Sequence, residues 1–486
     1  MAKGAAIEYR TVVGLEIHVQ LLTVSKMFCG CAVSFGAPPN TRTCPVCLGL
    51  PGSLPVLNRR AVELGLRTAL ALDCRIQPRS QFHRKNYFYP DIPKNYQISQ
   101  YEYADHAPLA TDGHLEVGRD GGLHPIRIRR VHLEEDTGRL VHSPAEHGGS
   151  LVDYNRSGVP LMEIVTQPDF RSPVEAREFL AALRRLLQFA EVSTGRMEEG
   201  TLRCDANVSL QQPGGPLGTR TEVKNMNSIR SVERALAFEV QRQRALLDRG
   251  EAVVQETRHW DERREVTFAS RSKEDAQDYR YFPEPDLVPV VVDDEWIQRV
   301  RADLPELPAA RRDRLMRSFD LSVYDADLLT ASPPVAALFE QAVARFPIPK
   351  TVANWIIGEV AACLKETGGD FERTALSPER LASLLKLIEA GTISGRIAKD
   401  VLVEMIRDDR DPAAIVESRG LMQISDEAAL AGIVDQVIAD HPGPAADIKI
   451  GKKAAMGFLM GQIMKATAGR ANPEIAGRLL RKRLGQ

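Results

Sequence analysis

The chain has 486 residues, with 63 Lys and Arg against 65 Asp and Glu, for a formal charge of −2. That length is too great for one ordinary core and predicts about two to four domains. Hydrophobic content of 43% and charged content of 26% are those of a globular protein. No apolar run approaches the ~20 residues of a membrane-spanning helix, so a membrane role is excluded. The opening "MAKGAAIEYRTVVG" lacks the basic-then-apolar pattern of a secretory signal, and a reducing, cytoplasmic setting is expected.

The first predicted element is "VGLEIHVQL". Leu15, Ile17, Val19 and Leu21 alternate with Glu16, His18 and Gln20, the period of a half-buried strand. Four of the seven cysteines follow, as Cys29-x-Cys31 and Cys44-x-x-Cys47. In a reducing compartment two close pairs are metal ligands or free thiols rather than disulfides. Zinc prefers a tetrahedron of thiolates, so a structural zinc on Cys29, Cys31, Cys44 and Cys47 is expected, and four thiolates leave no open position for catalysis. Cys74, Cys204 and Cys363 lie in apolar periodic settings and read as core residues.

Next comes "RKNYFYPDIPKNYQISQY", where Arg84, Lys85 and Lys94 interleave with Tyr87, Phe88, Tyr89, Tyr96 and Tyr101. Rings can stack on bases while cations meet phosphate; the other reading is a tyrosine-rich turn packed on the core. "RVHLEEDTG" supplies Glu134, Glu135 and Asp136 at a strand end, and "VPLMEIV" sets Glu163 among Leu161, Ile164 and Val165. A carboxylate in an apolar run needs a cation or a donor. Either Mg²⁺ gathered by His18, Glu135 and Glu163 satisfies it, or ion pairs with Arg129, Arg130 or Arg203 do.

"SPVEAREFLAALRRLLQF" predicts a helix opened by a capping box, Ser172 with Glu175, and by Pro173. "TLRCDANVSL" alternates as the first strand does, and "RTEVKN" places Glu222 and Lys224 on one strand face. "DYRYFPEPDLVPV" is a second aromatic, proline-rich corner. The region to 297 therefore reads as an α+β domain: an antiparallel sheet with helices on one face and the other face open.

From 298 the period becomes 3.6, in "VANWIIGEVAACLK" and "ERLASLLKLIEAG", which predicts an all-α domain over 298–411. "RDDRDPAAIVESRG" is polar and reads as a linker near 412, followed by a small helical tail domain over 412–486. From Ile448 onward nine basic residues face Glu474 alone, a charge of +8 that leaves −10 for the rest of the chain. Such an end is either a solvated helical surface or a contact for a polyanion.

There is no G-x-x-x-x-G-K-[ST] loop and no G-x-G-x-x-G after a strand; "IKIGKK" lacks the first glycine and the hydroxyl residue. No serine-rich amidase segment or Cys-His glutaminase arrangement is present. If ATP binds, it binds an open sheet.

The ordered stretches "VGLEIHVQL", "SKMF", "RKNYFYPDIPKNYQISQ", "HLEEDTG", "MEEGTLRCDANVS", "EVKNMNS", "DYRYFPEPDLVP" and "GKKAAMGFLMGQIMKA" closely resemble the B-subunit family of the glutamyl/aspartyl-tRNA amidotransferases, over essentially the whole chain. The resemblance implies a heterotrimer with an amidase-type A subunit and a small C subunit. It implies a cradle domain (1–297), a helical domain and a tail. The implied activity is phosphorylation by ATP of the side-chain carboxylate of Glu-tRNA(Gln) or Asp-tRNA(Asn), followed by amidation with ammonia released by the partner. It further implies that His18, Glu135 and Glu163 hold Mg²⁺ with Glu16 close by. Lys85 and Lys224 would hold phosphate and Asp205 would make a second metal contact. The basic tail, with Lys452, Lys453, Lys465 and Arg470, would meet tRNA. Some members of the family lack the cysteines, which implies a structural rather than a chemical role for zinc. Two other readings stand beside this one: a non-enzymatic tRNA-binding scaffold, and a free-standing amide ligase for a small acid. The basic tail and the missing glutaminase site argue against the ligase.

Overall fold

The computed structural model describes residues 8–485 except 103–106, 120–121, 143–148, 271–278, 372–373, 375 and 450–452. The chain divides into two compact units, Met1–Pro308 and Ala309–Gln486. No helix among the described residues is long and apolar enough to cross a membrane.

The first unit is built on a twelve-stranded sheet. Its principal strands are β1 (Arg10–Gln20), β2 (Phe82–Asn86), β3 (Tyr96–Gln100), β4 (Gly122–Glu135), β5 (Pro160–Thr166), β6 (Leu202–Gln211), β7 (Thr221–Lys224), β8 (Thr257–Asp261), β9 (Val266–Ala269) and β10 (Phe282–Pro283). The order across the sheet is β9-β8-β7-β6-β1-β5-β4-β3-β2-β10. Pairing is antiparallel along this path except between β7 and β8, which run parallel, so the sheet is mixed rather than purely antiparallel. The helix Ile229–Asp248 crosses between those two strands.

One face is covered by α1 (Arg59–Ala71), α2 (Pro173–Phe189) and α3 (Ile229–Asp248). Leu15, Ile17 and Val19 of β1 bury against Leu64, Phe179, Leu183 and Leu236 of those helices. Ser172 caps α2 by accepting from the Glu175 N–H, and Glu175 reaches back to the Arg171 N–H. α1 lies close to the sheet because residue 65 is glycine: a Cβ there would come within 2.6 Å of Leu109 Cδ2 and 3.1 Å of Leu133 Cδ2.

The boundary expected at 297 lies within a helix that packs on the first core. The helix Asp294–Ala302 joins the first core through Val300, Trp296 and Ile297, and Leu304 and Leu307 follow it. Buried apolar side chains, not the change of period, decide to which unit it belongs.

The second unit is helical with two cores, one from Leu315 to Val416 and one from Leu430 to Leu484. "VANWIIGEVAACLK" is helical with a wider π-type turn over Trp355–Val360. The stretch read as a linker is a helix, Pro412–Ser418, capped by Asp411, with Ile415 and Val416 buried. Two apolar residues in a charged background escaped a reading based on composition. The change of core comes between Leu421, which packs on the first, and Ile424, which packs on the second.

A fully buried carboxylate ties α3 to the sheet edge. Glu239 accepts from Arg242 at 2.6 Å, Gln243 at 3.0 Å and Thr267 at 3.0 Å, with the Arg258 guanidinium 3.5 Å away. Glu239→Ala removes the shared acceptor of Arg242, Gln243 and Thr267 from a buried network and is expected to lower stability by roughly 3 kcal/mol. Urea unfolding checks this, and a loss well under 1 kcal/mol would contradict it.

Candidate active site

The face of the sheet away from α1–α3 carries the polar members of each alternation. Because β1 runs between β5 and β6, antiparallel register aligns its polar residues with theirs. Arg203, His18, Glu163 and His132 stand directly opposite one another on β6, β1, β5 and β4, a single row across four strands. Asp205 and Glu16 form the neighbouring row on β6 and β1.

Three ligand-type side chains converge there. His18, Glu134 and Glu163 offer atoms that all lie within 4.8 Å of one another. His18 Nε2 is 3.7 Å from Glu134 Oε1 and 3.8 Å from Glu163 Oε2. Burial opposes ionisation of both carboxyls, yet histidine neighbours hold both below the usual carboxylate range, with Arg130 assisting at Glu163. Burial pulls His132 down, but Glu163 and Glu134 outweigh it and push it up to about 9. Two ionised carboxylates facing one imidazole make an oxygen-and-nitrogen donor set that suits a divalent cation.

Glu135, expected in this set, is not in it. β4 alternates, so Glu135 turns to the opposite face from Glu134 and His132, and it stands opposite Pro160 of β5. There its carboxylate pairs with buried Lys94 and accepts from the Ile98 N–H at 2.9 Å. The signal was in the sequence: Val131 and Leu133 fix the apolar parity of "RVHLEEDTG", and Glu135 shares it.

Around the donor set the sheet forms a cavity of about 410 Å³, lined among others by His18, Lys85, Glu134, Arg203, Asp205 and Lys224. Lys224 Nζ lies 2.5 Å from Asp205 and 2.9 Å from Glu222, and these carboxylates hold its charge well above the ordinary lysine range despite burial. Lys85 Nζ sits 4.8 Å from the centre of the Tyr279 ring. Arg203 is anchored at 2.9 Å on Asp136. Glu16 accepts from Asn207 at 3.1 Å, and burial together with Glu163 pushes its carboxyl up. Sequence reasoning missed Glu134, His132 and the cavity role of Arg203. Glu134 and His132 share the parity of Glu163's row, and Arg203 shares that of Asp205.

The two aromatic windows pack mainly on each other. Arg84 grips Glu284 through two nitrogens at 2.7 and 2.8 Å, and Tyr101 stacks on Tyr281 with ring centres 3.8 Å apart. Tyr87 meets Tyr279 edge-on at 5.8 Å. Phe88 and Tyr89 stay exposed.

Cys29, Cys31, Cys44 and Cys47 bring their sulfurs within 4.8 Å of one another. The Cys29 thiol donates to Cys47 and, against burial, holds the Cys47 thiolate at about 4. Beside it Lys26, with no exposed surface, places Nζ 3.6 Å from Cys47 Sγ and 3.3 Å from the Tyr154 carbonyl. Among the described residues this ammonium has no carboxylate partner. A buried cation of this kind requires an anion, and ionised sulfur supplies it. The donor set therefore fits zinc. A small cavity of about 60 Å³ is lined by Cys29, Cys47, Lys94 and Glu135 among others.

In the basic tail, Lys452 lies outside the described residues and Lys453 opens the helix Lys453–Ala466. Lys465 is exposed in its last turn. Arg470 is spent on the carbonyls of Thr467 and Gly420, each at 3.2 Å.

Comparison with known proteins agrees along the whole chain. The family described as GatB/GatE catalytic domain matches residues 11–298, and the family described as GatB domain matches residues 337–484. The aspartyl/glutamyl-tRNA(Asn/Gln) amidotransferase B subunit of Moorella thermoacetica is 55% identical over 479 residues, spanning 98% of this chain and 100% of the relative. The corresponding protein of Carboxydothermus hydrogenoformans is 51% identical over 482 residues, and that of Thermomicrobium roseum 54% over 483, each spanning 99% of both chains.

The buried pair behind the sheet is open to test. Lys94→Met would strand the Glu135 carboxylate with only the Ile98 N–H, and is expected to lower stability by roughly 3 kcal/mol. Thermal and urea unfolding measure it; an unchanged midpoint would show that Glu135 has other support.

Proposed function

This chain belongs to the GatB/GatE family, and on that premise we propose that its open sheet face phosphorylates and then amidates the side-chain carboxylate of a misacylated tRNA. The substrates are Glu-tRNA(Gln), Asp-tRNA(Asn), or both, as the relatives' names have it. An amidase-type A subunit supplies ammonia and a small C subunit completes the heterotrimer. The observation that carries this reading is the convergence of His18, Glu134 and Glu163, with His18 and Glu134 lining the same cavity as Lys85, Arg203 and Lys224.

The chemistry explains the residues. A carboxylate resists ammonia because oxide is a poor leaving group. Its oxygen attacks the γ-phosphorus of ATP, the bond to ADP breaks, and an acyl phosphate forms. Ammonia then attacks the acyl carbon, phosphate leaves, and the nitrogen loses a proton. Bringing ATP to a carboxylate sets anion against anion, so cations must offset the repulsion. His18, Glu134 and Glu163 would hold Mg²⁺, which when bound neutralises phosphate charge. Lys85, Lys224 and Arg203 offer fixed positive charge to phosphate and carboxylate oxygens. Asp205 and Glu222 orient Lys224 and keep it protonated. Glu16, its carboxyl pushed up, is suited to take the proton that the attacking nitrogen loses. The exposed basic residues of the tail, Lys465 among them, would meet the tRNA backbone.

The cysteine cluster is a fastening in this reading. Zinc on its four sulfurs would hold the loop that follows β1, on the far side of the sheet from the cavity. Cys44→Ser, or removal of zinc by a chelator, is expected to lower the stability of the first unit by roughly 2 kcal/mol, about 3 °C in Tm. Activity measured below the new Tm should remain. A variant of full stability without transferase activity would contradict this.

The decisive assay is phosphate release from γ-labelled ATP by the assembled complex with Glu-tRNA(Gln) and, separately, Asp-tRNA(Asn). Release that depends on the misacylated tRNA, and is lost in Glu134→Ala and Glu163→Ala, supports an activating role. A scaffold would tolerate both changes. No release with either tRNA would overturn the proposal.

A further inference from the structure

The row through His18 and Glu163 ends in a second imidazole. His132 stands opposite Glu163 in the register of β4 and β5 and is 4% exposed. Its Nε2 lies 3.1 Å from Glu163 Oε2 and 3.8 Å from Glu134 Oε2. Its Nδ1 is buried and has no hydrogen-bond partner among the described residues. His18 approaches the same Glu163 oxygen from the other side, at 3.8 Å, and reaches Glu134 through the other oxygen, Oε1, at 3.7 Å. The Ser99 hydroxyl donates to Glu134 Oε2 at 3.1 Å.

These contacts divide the labour between the two histidines. Two carboxylates held this close repel, and each would turn away unless a donor fixed it. Ser99 and His132 hold Glu134 Oε2, which leaves Glu134 Oε1 facing His18, and His132 also fixes Glu163 Oε2, the oxygen that His18 approaches from the other side. A buried imidazole keeps its proton where an acceptor waits. For His132 that is Nε2, which donates to Glu163 in the charged and the neutral ring alike. With Nε2 donating and Nδ1 turned away from the carboxylates, His132 has no lone pair to give to an ion held between Glu134 and Glu163. Its contribution is to aim the groups that do.

We propose that His132 is a positioning residue, whose Nε2–H fixes Glu163, with Glu134 beside it, so that both converge with His18 on one divalent cation. The inference rests on the cation site proposed above and adds a residue to it. Outer hydrogen bonds of this kind orient metal ligands, and their loss commonly costs about 10–100-fold in affinity.

The test is Mn²⁺ binding to the full chain, followed by electron paramagnetic resonance of the free ion, for the unaltered protein and for His18→Ala, His132→Phe and His132→Gln. Unaltered protein should bind one Mn²⁺ and His18→Ala should lose it. His132→Phe, which keeps the ring and removes the donor, should weaken binding about 10–100-fold. His132→Gln, which restores an N–H near the Nε2 position, should recover most of the affinity. Thermal unfolding without Mn²⁺ identifies a variant that does not fold; for an unfolded His132→Phe, the shorter His132→Asn takes its place with the same expectation. Unaltered protein that binds no Mn²⁺ overturns the cation site and this proposal with it. Binding lost in His18→Ala but unchanged or tighter in His132→Phe overturns this proposal alone. It would mean that His132 packs the sheet or competes with the ion.

Discussion

The placement of β1 between β5 and β6 governs the first unit. Its odd-numbered residues Leu15, Ile17 and Val19 are driven into the helical layer, and a strand has no freedom to bury one without exposing the alternate set. Glu16 and His18 are thereby fixed on the open face. Antiparallel register then brings Arg203 and Glu163 to either side of His18 and Asp205 beside Glu16. A slip of one residue would move every one of these groups to the other face. The apolar core and the polar site are set by the same register, so hydrophobic burial supplies the precision that the chemistry needs.

That arrangement works against stability locally. Glu16, Glu134, Glu163, Asp205 and Glu222 crowd a small area, and burial makes their repulsion costly. Histidine, lysine and arginine neighbours offset part of it, and a bound cation would offset more. Sites that break the ordinary rules of charge placement are where function is expected. Beneath the sheet the charges are treated differently. Glu135 with Lys94, and Lys26 with Cys47, are pairs closed off from water, matched one to one. Neighbouring residues of one strand, Glu134 and Glu135, thus serve opposite ends: one faces an open cavity, the other a buried cation.

The parts legible beforehand were those set by local pattern. Period two marked β1 and β6, the capping box marked α2, and the cysteine spacing marked a cluster that the fold does assemble. The long ordered motifs pointed to the family that the comparisons show. Strand parity, carried by Val131 and Leu133, places Glu134 rather than Glu135 on the open face, a distinction that the family resemblance does not make. Near 412 a polar composition hides a helix, because only Ile415 and Val416 of the polar stretch bury in the core.

The sequence by itself determined which residues alternate, where helices begin, and the supply of chemistry: carboxylates, imidazoles, thiols and a basic end. These are consequences of neighbours along the chain, where spacing of two or 3.6 residues fixes the face. Only the tertiary structure decided which of those groups meet. His18 and His132 are 114 positions apart by their numbers and are joined through Glu163 because three strands pair in one register. Nothing in local spacing encodes that pairing. It follows from burying the apolar faces of all three strands under the same helices, a choice the chain makes only as a whole.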